Sequence, residues 1–124
     1  MRLFIRISGV MSMCSRYRVK NKTQRYINIS GDWRLVDVYP VVLFDYPQLD
    51  IFVQKSSKYW WHISEGSTGL KVFDGYTRTE VINTLVDFLD KRGVGIFEET
   101  VRKGIGKTGL SPDYEVVKKF KILH

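Results

Sequence analysis

The stretch KYWWHISEGSTGLKVFDGYTRTEVINTLVDFLDKRG, residues 58–93, decides the fold class. Its first part, YWWHIS, is aromatic and β-branched, and the glycine-containing turn EGSTG separates it from a second β-prone run, LKVF. Two such runs around a turn predict an antiparallel hairpin. The pattern then changes to helical spacing, so this one stretch is expected to contain a strand pair followed by a helix.

The helix is predicted over residues 78–92. Thr77 and Glu80 have the capping-box spacing, in which each side chain accepts a hydrogen bond from the backbone N–H of the other residue. Lys91 and Arg92 lie where the negative end of the helix dipole favours cations. The apolar residues that recur at helical spacing, and are expected to face the core, are Val81, Ile82, Leu85, Val86 and Leu89.

Further strands are expected before this stretch. The β-prone runs are RLFIRI (2–7), QRYINIS (24–30), GDWRLVDVYPVVLFDYP (31–47) and LDIFVQK (49–55). Because proline cannot donate to a strand ladder, Pro40 is expected to end or bulge its strand, and VVLF after it to form a second, more buried strand.

Helices are expected after it. GIFEETVRKG (95–104) has glutamates in its first half and basic residues in its last turn, as the dipole favours. SPDYEVVKKF (111–120) begins with a serine at the N-cap and a proline at the first helical position. Strands followed by helices predict an α+β fold, with a mostly antiparallel sheet from the N-terminal two-thirds and two to three helices at the C-terminal end.

Length and composition indicate one domain over residues 1–124, with 44% hydrophobic residues. Residues 1–13 are expected to be disordered or to form a peripheral strand, and Met11 and Met13 are alternative starts to Met1. No apolar run approaches the roughly 20 residues that span a bilayer, so no membrane partner is expected. A single cysteine suits a reducing, cytoplasmic location.

The net charge of +7 is unevenly spread. Residues 1–34 carry eight basic and one acidic side chains, residues 35–101 carry six and ten, and residues 102–124 carry six and two. Basic ends around an acidic middle favour a polyanionic partner. The same asymmetry permits a homo-oligomer, in which the ends of one copy meet the middle of another.

The segment RKGIGKTGLSP (102–112) contains Gly-Lys-Thr, the end of a phosphate-binding loop signature. The first glycine of that signature would fall at Val101, and the residues before it predict a helix and not a strand, so a nucleotide loop is not expected. Two interpretations remain open. The segment is a flexible connector between helices, or it is a basic, glycine-rich loop that contacts phosphates through Arg102, Lys103 and Lys107.

Metal chemistry has no matching pattern. Asp45 and Asp50 precede Gln54, where a metal-dependent nuclease would need a further carboxylate. A zinc site from Cys14 and the two histidines has no recognisable spacing. No cofactor and no metal are therefore expected.

A small basic ribonuclease is the enzymatic alternative. His62 would move the proton, and strand alternation places Lys58 on the same face. A lone histidine on a strand is more often a structural residue, so no enzyme activity is the primary prediction.

Recognition is the remaining class of function. Adjacent Trp60 and Trp61 on one strand must face opposite sides, so one of them is expected to lie off the core, and Trp60 is the candidate partner anchor. The segment between the first two predicted strands is dense in positive charge and is expected to be a loop, a strand edge or a mobile arm. Its candidate phosphate-contacting residues are Arg16, Arg18, Lys20, Lys22 and Arg25.

Residues 59–85 resemble small accessory proteins of Gram-positive phages and plasmids, which carry an aromatic strand, a Ser/Thr-Gly turn, a second strand and Gly-x-Thr before an amphipathic helix. Trp61, Thr68, Gly69, Gly75 and Thr77 match that pattern. Some proteins of this kind are anti-CRISPR inhibitors that block a guide-loaded nuclease. The resemblance implies a non-enzymatic regulator or inhibitor, encoded by a mobile element, that binds nucleic acid or a nucleoprotein complex.

Overall fold

The computed structural model describes residues 15–114. The predicted strand at 2–7, Cys14 and the part of the predicted third helix after Tyr114 lie outside the described residues. Within them, Pro112–Tyr114 form one helical turn. The regular elements are β1 (Tyr17–Val19), β2 (Thr23–Ile29), β3 (Asp32–Leu43), β4 (Ile51–Ser57), β5 (Trp60–Glu65), β6 (Lys71–Gly75), α1 (Arg78–Arg92) and α2 (Val94–Thr108).

The described strands form one antiparallel sheet in the order β1-β3-β4-β5-β6, with β2 also paired to β3. The long strand β3 holds the sheet together, because β2 pairs with its first half and β1 with its last three residues. Both helices follow the last strand in the chain. The predicted α+β fold, with a mostly antiparallel sheet and C-terminal helices, is confirmed.

The prediction that Pro40 divides its strand is wrong, because β3 is a single strand of twelve residues. Pro40 pairs with Phe52 of β4, and its carbonyl accepts a hydrogen bond of 2.8 Å from the N–H of Lys20. Val19 and Thr23 are four positions apart, while their partners on β3, Val41 and Val38, are three positions apart, so the register shifts by one residue opposite the proline. The irregularity therefore lies in the connection between β1 and β2, and β3 runs without a break.

One face of the sheet packs against α1. All five residues of the predicted apolar stripe are buried there, beside Val53 and Ile63 of the sheet. The helix begins as predicted at Thr77, whose hydroxyl accepts from the N–H of Glu80. The Glu80 carboxylate reaches one residue further back than the capping box requires, to the N–H of Tyr76.

The opposite face is concave, because the β2–β3 hairpin curls back over it. Ile27, Val38 and Phe52 form a second, smaller buried cluster inside the curl. The backbone N–H of Asn28 donates to the carbonyl of Gly69 over 2.8 Å, which ties β2 to the EGSTG turn. The sheet therefore has a filled face under the helices and a partly open, concave face.

The second helix is longer than predicted and ends at Thr108. Gly104 does not stop it and lies inside the helix. A Cβ at this position would lie 3.1 Å from the Thr68 methyl group, so the glycine lets the helix approach the turn closely. The helix ends instead at Gly109, whose φ is 79° and whose N–H donates to the carbonyl of Ile105. The Gly-Lys-Thr segment is therefore part of a helix, and both loop interpretations of it are wrong.

Candidate nucleic-acid interface

The structure divides the basic residues predicted to contact phosphates into paired and unpaired groups. Arg16 lies at the start of β1 and forms ion pairs of 2.5 Å with Asp45 and with Asp90 of α1. The Tyr46 hydroxyl also donates to Asp90. The hydrogen bonds from Arg16 and Tyr46 lower the pKa of Asp90 to about 2. Arg16 therefore connects β1, the β3–β4 loop and α1.

Arg25 has a similar role in a more buried place. Its guanidinium pairs with Asp50 over 2.5 Å and with Asp113 over 2.8 Å, and it lies 5.2 Å from the centre of the Phe52 ring. The Tyr114 hydroxyl donates to Asp50. Burial opposes ionisation of Asp50, but the hydrogen bonds from Arg25 and Tyr114 outweigh it and its pKa lies below the ordinary value.

These contacts make Arg25 a structural residue. It holds β2, the β3–β4 loop and the segment after α2 together, with only 19% of its side chain exposed. The turn residue Gly66 belongs to the same arrangement, because a Cβ there would meet the Asp50 carboxylate at 2.0 Å. We call the groups around Arg16 and Arg25 the two arginine clamps.

The other three residues of the predicted basic arm remain available. Arg18, Lys20 and Lys22 are exposed and line a shallow groove at the junction of β1 and β2. They form no ion pair with residues 15–114. Arg18 lies on β1, and Lys20 and Lys22 lie in the connection between β1 and β2, so the predicted arm is part strand and part loop.

The predicted basic residues near the C-terminal end lie on α2. Arg102 pairs with Glu99, while Lys103 and Lys107 are exposed. This helix packs beside the β5–β6 turn through Gly104. Trp60 begins β5, at the other end of that strand, so the structure separates the α2 residues from the predicted aromatic anchor by about 17 Å of strand.

The tryptophan pair divides between the two faces of the sheet, as strand alternation predicts. Trp61 packs against the core under the helices and lies 6.2 Å from the ring of Tyr39. Trp60 lies edge-to-face on Tyr76, with 4.9 Å between ring centres and 85° between ring planes. Tyr76 and Tyr59 are each 68% exposed. Five aromatic rings therefore surround this end of β5.

Three cations lie over these rings. The Arg78 guanidinium carbon is 5.7 Å from the centre of Tyr39 and 5.9 Å from that of Trp61. Lys55 Nζ is 5.9 Å from the Trp61 ring, and Lys58 Nζ is 5.3 Å from the Tyr59 ring. We call this group, which lies on both faces of the sheet around the end of β5, the aromatic–cationic surface: Tyr39, Lys55, Lys58, Tyr59, Trp60, Trp61, Tyr76 and Arg78.

The cations of this surface differ from the clamp arginines in their partners. Within residues 15–114, Lys55, Lys58 and Arg78 pair with no carboxylate. Stacking on a ring orients a cation and leaves its N–H groups able to donate to a phosphate. Arg78 is also the first residue of α1, where the helix dipole disfavours positive charge.

The ribonuclease alternative loses its expected proton-transfer partner. Lys58 lies in the β4–β5 turn over Tyr59, while the charged neighbours of His62 are Lys71 and Asp74. Burial lowers the pKa of His62, Lys71 lowers it further, and Asp74 raises it in part. The imidazole is therefore neutral at neutral pH.

The carboxylates considered for a metal nuclease are also paired elsewhere. Asp45 faces Arg16, and Asp50 faces Arg25. The part of the chain that the structure describes contains no group of three or more His, Cys, Asp or Glu side chains arranged to hold a metal ion.

Sequence reasoning missed Lys55, Arg78, Tyr39 and Tyr76 as members of the surface. Lys55 and Trp61 are cross-strand partners through a turn that contains no glycine, proline or asparagine, so nothing in the local sequence marks it. The one available indication was Arg78, a cation at the end of the predicted helix where the dipole disfavours positive charge.

No protein-family model, curated protein or solved structure matches this chain. No helix within residues 15–114 is long and apolar enough to cross a membrane.

Proposed function

We propose that this protein binds single-stranded nucleic acid through the aromatic–cationic surface. The observation that carries the proposal is the placement of Lys55, Lys58 and Arg78 on aromatic rings, without carboxylate partners in the described part of the chain. Proteins that bind single strands combine rings on which bases stack with cations that follow the backbone, and this surface offers both.

The exposed rings supply the stacking positions. Tyr59 and Tyr76 present most of their surface to solvent, and Tyr76 supports Trp60 edge-to-face. A base has a π-face whatever its identity, so this contact adds affinity with little sequence choice. A duplex hides its base faces in the stack, which makes single strands the better ligand.

The exposed arm residues supply a second set of phosphate contacts. The backbone N–H of Lys20 donates to the carbonyl of Pro40, the residue after Tyr39. The cations Arg18, Lys20 and Lys22 therefore continue the surface across β3 toward β1. Contacts of this kind give affinity that falls with salt and carry no sequence information.

The resemblance to accessory proteins of mobile elements extends the proposal to nucleoprotein targets. A guide RNA held in a nuclease presents phosphates and unstacked bases that this surface can recognise by the same contacts. The regulatory or inhibitory role then follows from competition for that RNA or for the DNA strand it pairs with.

The test is fluorescence polarisation of labelled single-stranded RNA, single-stranded DNA and duplex DNA at about 50 and about 200 mM salt. A variant with Lys55→Gln, Lys58→Gln and Arg78→Gln is compared with one carrying Arg102→Gln, Lys103→Gln and Lys107→Gln, which removes the same charge from α2. We expect salt-sensitive single-strand binding that the first variant loses by about tenfold or more and the second retains within about twofold.

Equal losses in both variants would contradict the proposal, since they would show binding by net charge alone. A loss in the α2 variant alone would transfer the site to that helix. Absence of any shift with free nucleic acid, together with binding to a guide-loaded nuclease, would show a protein-directed inhibitor. Sedimentation at both salt concentrations tests the self-association alternative.

A further inference from the structure

The concave face of the sheet contains a groove that the aromatic–cationic surface does not include. Its volume is about 480 Å³, within the range of small-molecule sites. β2 forms one wall, β4 and β5 form the floor, and the segment leading into β6 forms the other wall. The polar side chains that line it include Gln54, Ser56, His62, Ser64 and Lys71.

We infer that this groove takes one unstacked nucleobase of the bound strand, an inference that rests on the proposed function and specifies it. The walls suit a flat, partly apolar ligand, because Ile27, Ile29 and Leu70 line the groove. The floor suits a ligand with an edge of donors and acceptors, because β4 and β5 present Gln54 and His62 side by side as cross-strand partners.

Gln54 and the neutral His62 can each donate one hydrogen bond and accept another. A base edge carries the same mixture of donors and acceptors, whereas a phosphate or carboxylate carries acceptors only. An amide side chain that meets adenine can bond two adjacent atoms of its edge. The groove chemistry therefore matches a base better than it matches a simple anion.

The groove continues the proposed interface. Ser56, one of its lining residues, donates to the carbonyl of Trp60 over 3.4 Å. Trp60 and His62 are two residues apart on β5 and share the concave face. His62 pairs with Asp74 of β6, and Trp60 contacts Tyr76, which follows β6. A strand with one base stacked at Trp60 can therefore direct a neighbouring base into the groove.

Charge at the rim is compatible with a nucleotide. Lys71 lines the groove, is half exposed and pairs with Asp74 over 2.8 Å. An exposed pair of this kind is weak, so a phosphate can compete with the aspartate for the ammonium group. Gln54 and His62 therefore select the base, and the cations bind the phosphate backbone.

The experiment measures binding of adenine, cytosine and uracil homopolymers of about ten nucleotides, with free nucleosides followed by the NMR resonances of the Gln54 amide and His62 imidazole. We expect one homopolymer to be favoured roughly tenfold, and Gln54→Met with His62→Phe to reduce that preference to within about twofold while the salt dependence persists. Gln24→Met, a glutamine outside the groove, is the matched control and should keep the preference.

The outcomes separate this inference from the proposed function. Salt-sensitive binding without base preference, and without nucleoside-induced shifts at His62, overturns the base site and leaves the single-strand surface standing. Nucleoside shifts at His62 without binding of any homopolymer support the groove and overturn the single-strand surface. A preference that survives the Gln54 and His62 replacements also overturns the inference.

Discussion

The two ends of strand β4 show opposite uses of the same residue chemistry. At the end beside the β3–β4 loop, Arg16 and Arg25 are each held by two aspartates. At the end beside the β4–β5 turn, Lys58 and Arg78 lie on aromatic rings and pair with no aspartate or glutamate of the described residues. Positive charge stabilises the fold at the first end and is available to a partner at the second.

The difference teaches that net charge does not identify a binding surface. Both clamp arginines belong to the basic N-terminal region, and the sequence alone predicts the same phosphate-contacting role for them as for Lys20 and Lys22. Their acidic partners are distant in the chain: Asp90 lies 74 positions after Arg16, and Asp113 lies 88 positions after Arg25. Only the fold shows which cations are already occupied.

The largest expected effect comes from breaking the more buried clamp. Arg25→Gln leaves Asp50 and Asp113 half-buried without their cation, and should lower the free energy of unfolding by about 2–3 kcal/mol. Urea unfolding followed by circular dichroism measures it. Arg16→Gln is the control and should lower the free energy of unfolding less, because that clamp is exposed. Equal losses would show that burial does not distinguish the clamps.

Removal of the aromatic anchor should act on binding. Trp60→Ala should weaken single-strand affinity by about 1–3 kcal/mol, which is the range for losing one stacked base. Phe44→Ala removes an exposed aromatic side chain from the clamp end of the sheet and should leave affinity unchanged. Fluorescence polarisation of both folded variants makes the comparison, and a matching loss in the Phe44 variant would remove the special role of the aromatic end.

A matched pair on α1 separates binding from stability more finely. Arg78 and Arg92 each lie over a ring, at opposite ends of the same helix. Arg78→Gln removes a charged donor to the phosphate backbone and should weaken binding by about 1.5 kcal/mol, the lower end of the range for a hydrogen bond to a charged group. Its stability should stay the same or rise by a few tenths of a kcal/mol, because the cation opposes the helix dipole.

Arg92→Gln should lower the stability and leave binding unchanged, since its cation interacts favourably with the dipole at the C-terminal end. Thermal unfolding of the two variants measures stability, and fluorescence polarisation measures binding affinity. If the Arg78 variant lost more stability than the Arg92 variant, Arg78 would have a structural role and not a binding role.

Acidification should lower the stability that the clamps contribute, and this effect is smallest near neutral pH. The pKa of Asp50 and of Asp90 is lower in the folded chain than in the unfolded one. Their contribution is therefore complete above the unfolded value of about 3.9 and is lost as the pH falls through the folded values. Urea midpoints between about pH 6 and about pH 2 should fall, and less steeply for Arg25→Gln. An unchanged slope in that variant would place the acid sensitivity elsewhere.

Local patterns predicted the parts of the fold that local physics controls. The capping residue Thr77 and the five-residue stripe of α1 are where periodicity placed them. The failures at Pro40 and Gly104 have a feature in common. Each residue was expected to interrupt its strand or helix, and each lies against a residue that is distant in the chain. Pro40 lies beside Lys20, and Gly104 lies beside Thr68.

The candidate site was predictable only in part for the same reason. Alternation along β5 correctly placed Trp60 and Trp61 on opposite faces. The cations around them come from β4 and α1, and they meet the rings through strand register and helix packing. Neither the strand register nor the helix packing can be predicted from the residues near the tryptophans.

The most direct test of the central claim is the salt dependence of single-strand affinity. The slope of log affinity against log salt should become shallower by about 2 when Lys55, Lys58 and Arg78 are replaced by Gln, since each phosphate contact contributes about 0.7 for a single strand. The same replacements at Arg102, Lys103 and Lys107 should leave the slope unchanged. Equal slopes for wild type and the first variant would contradict the claim that these ring-stacked cations contact the phosphates.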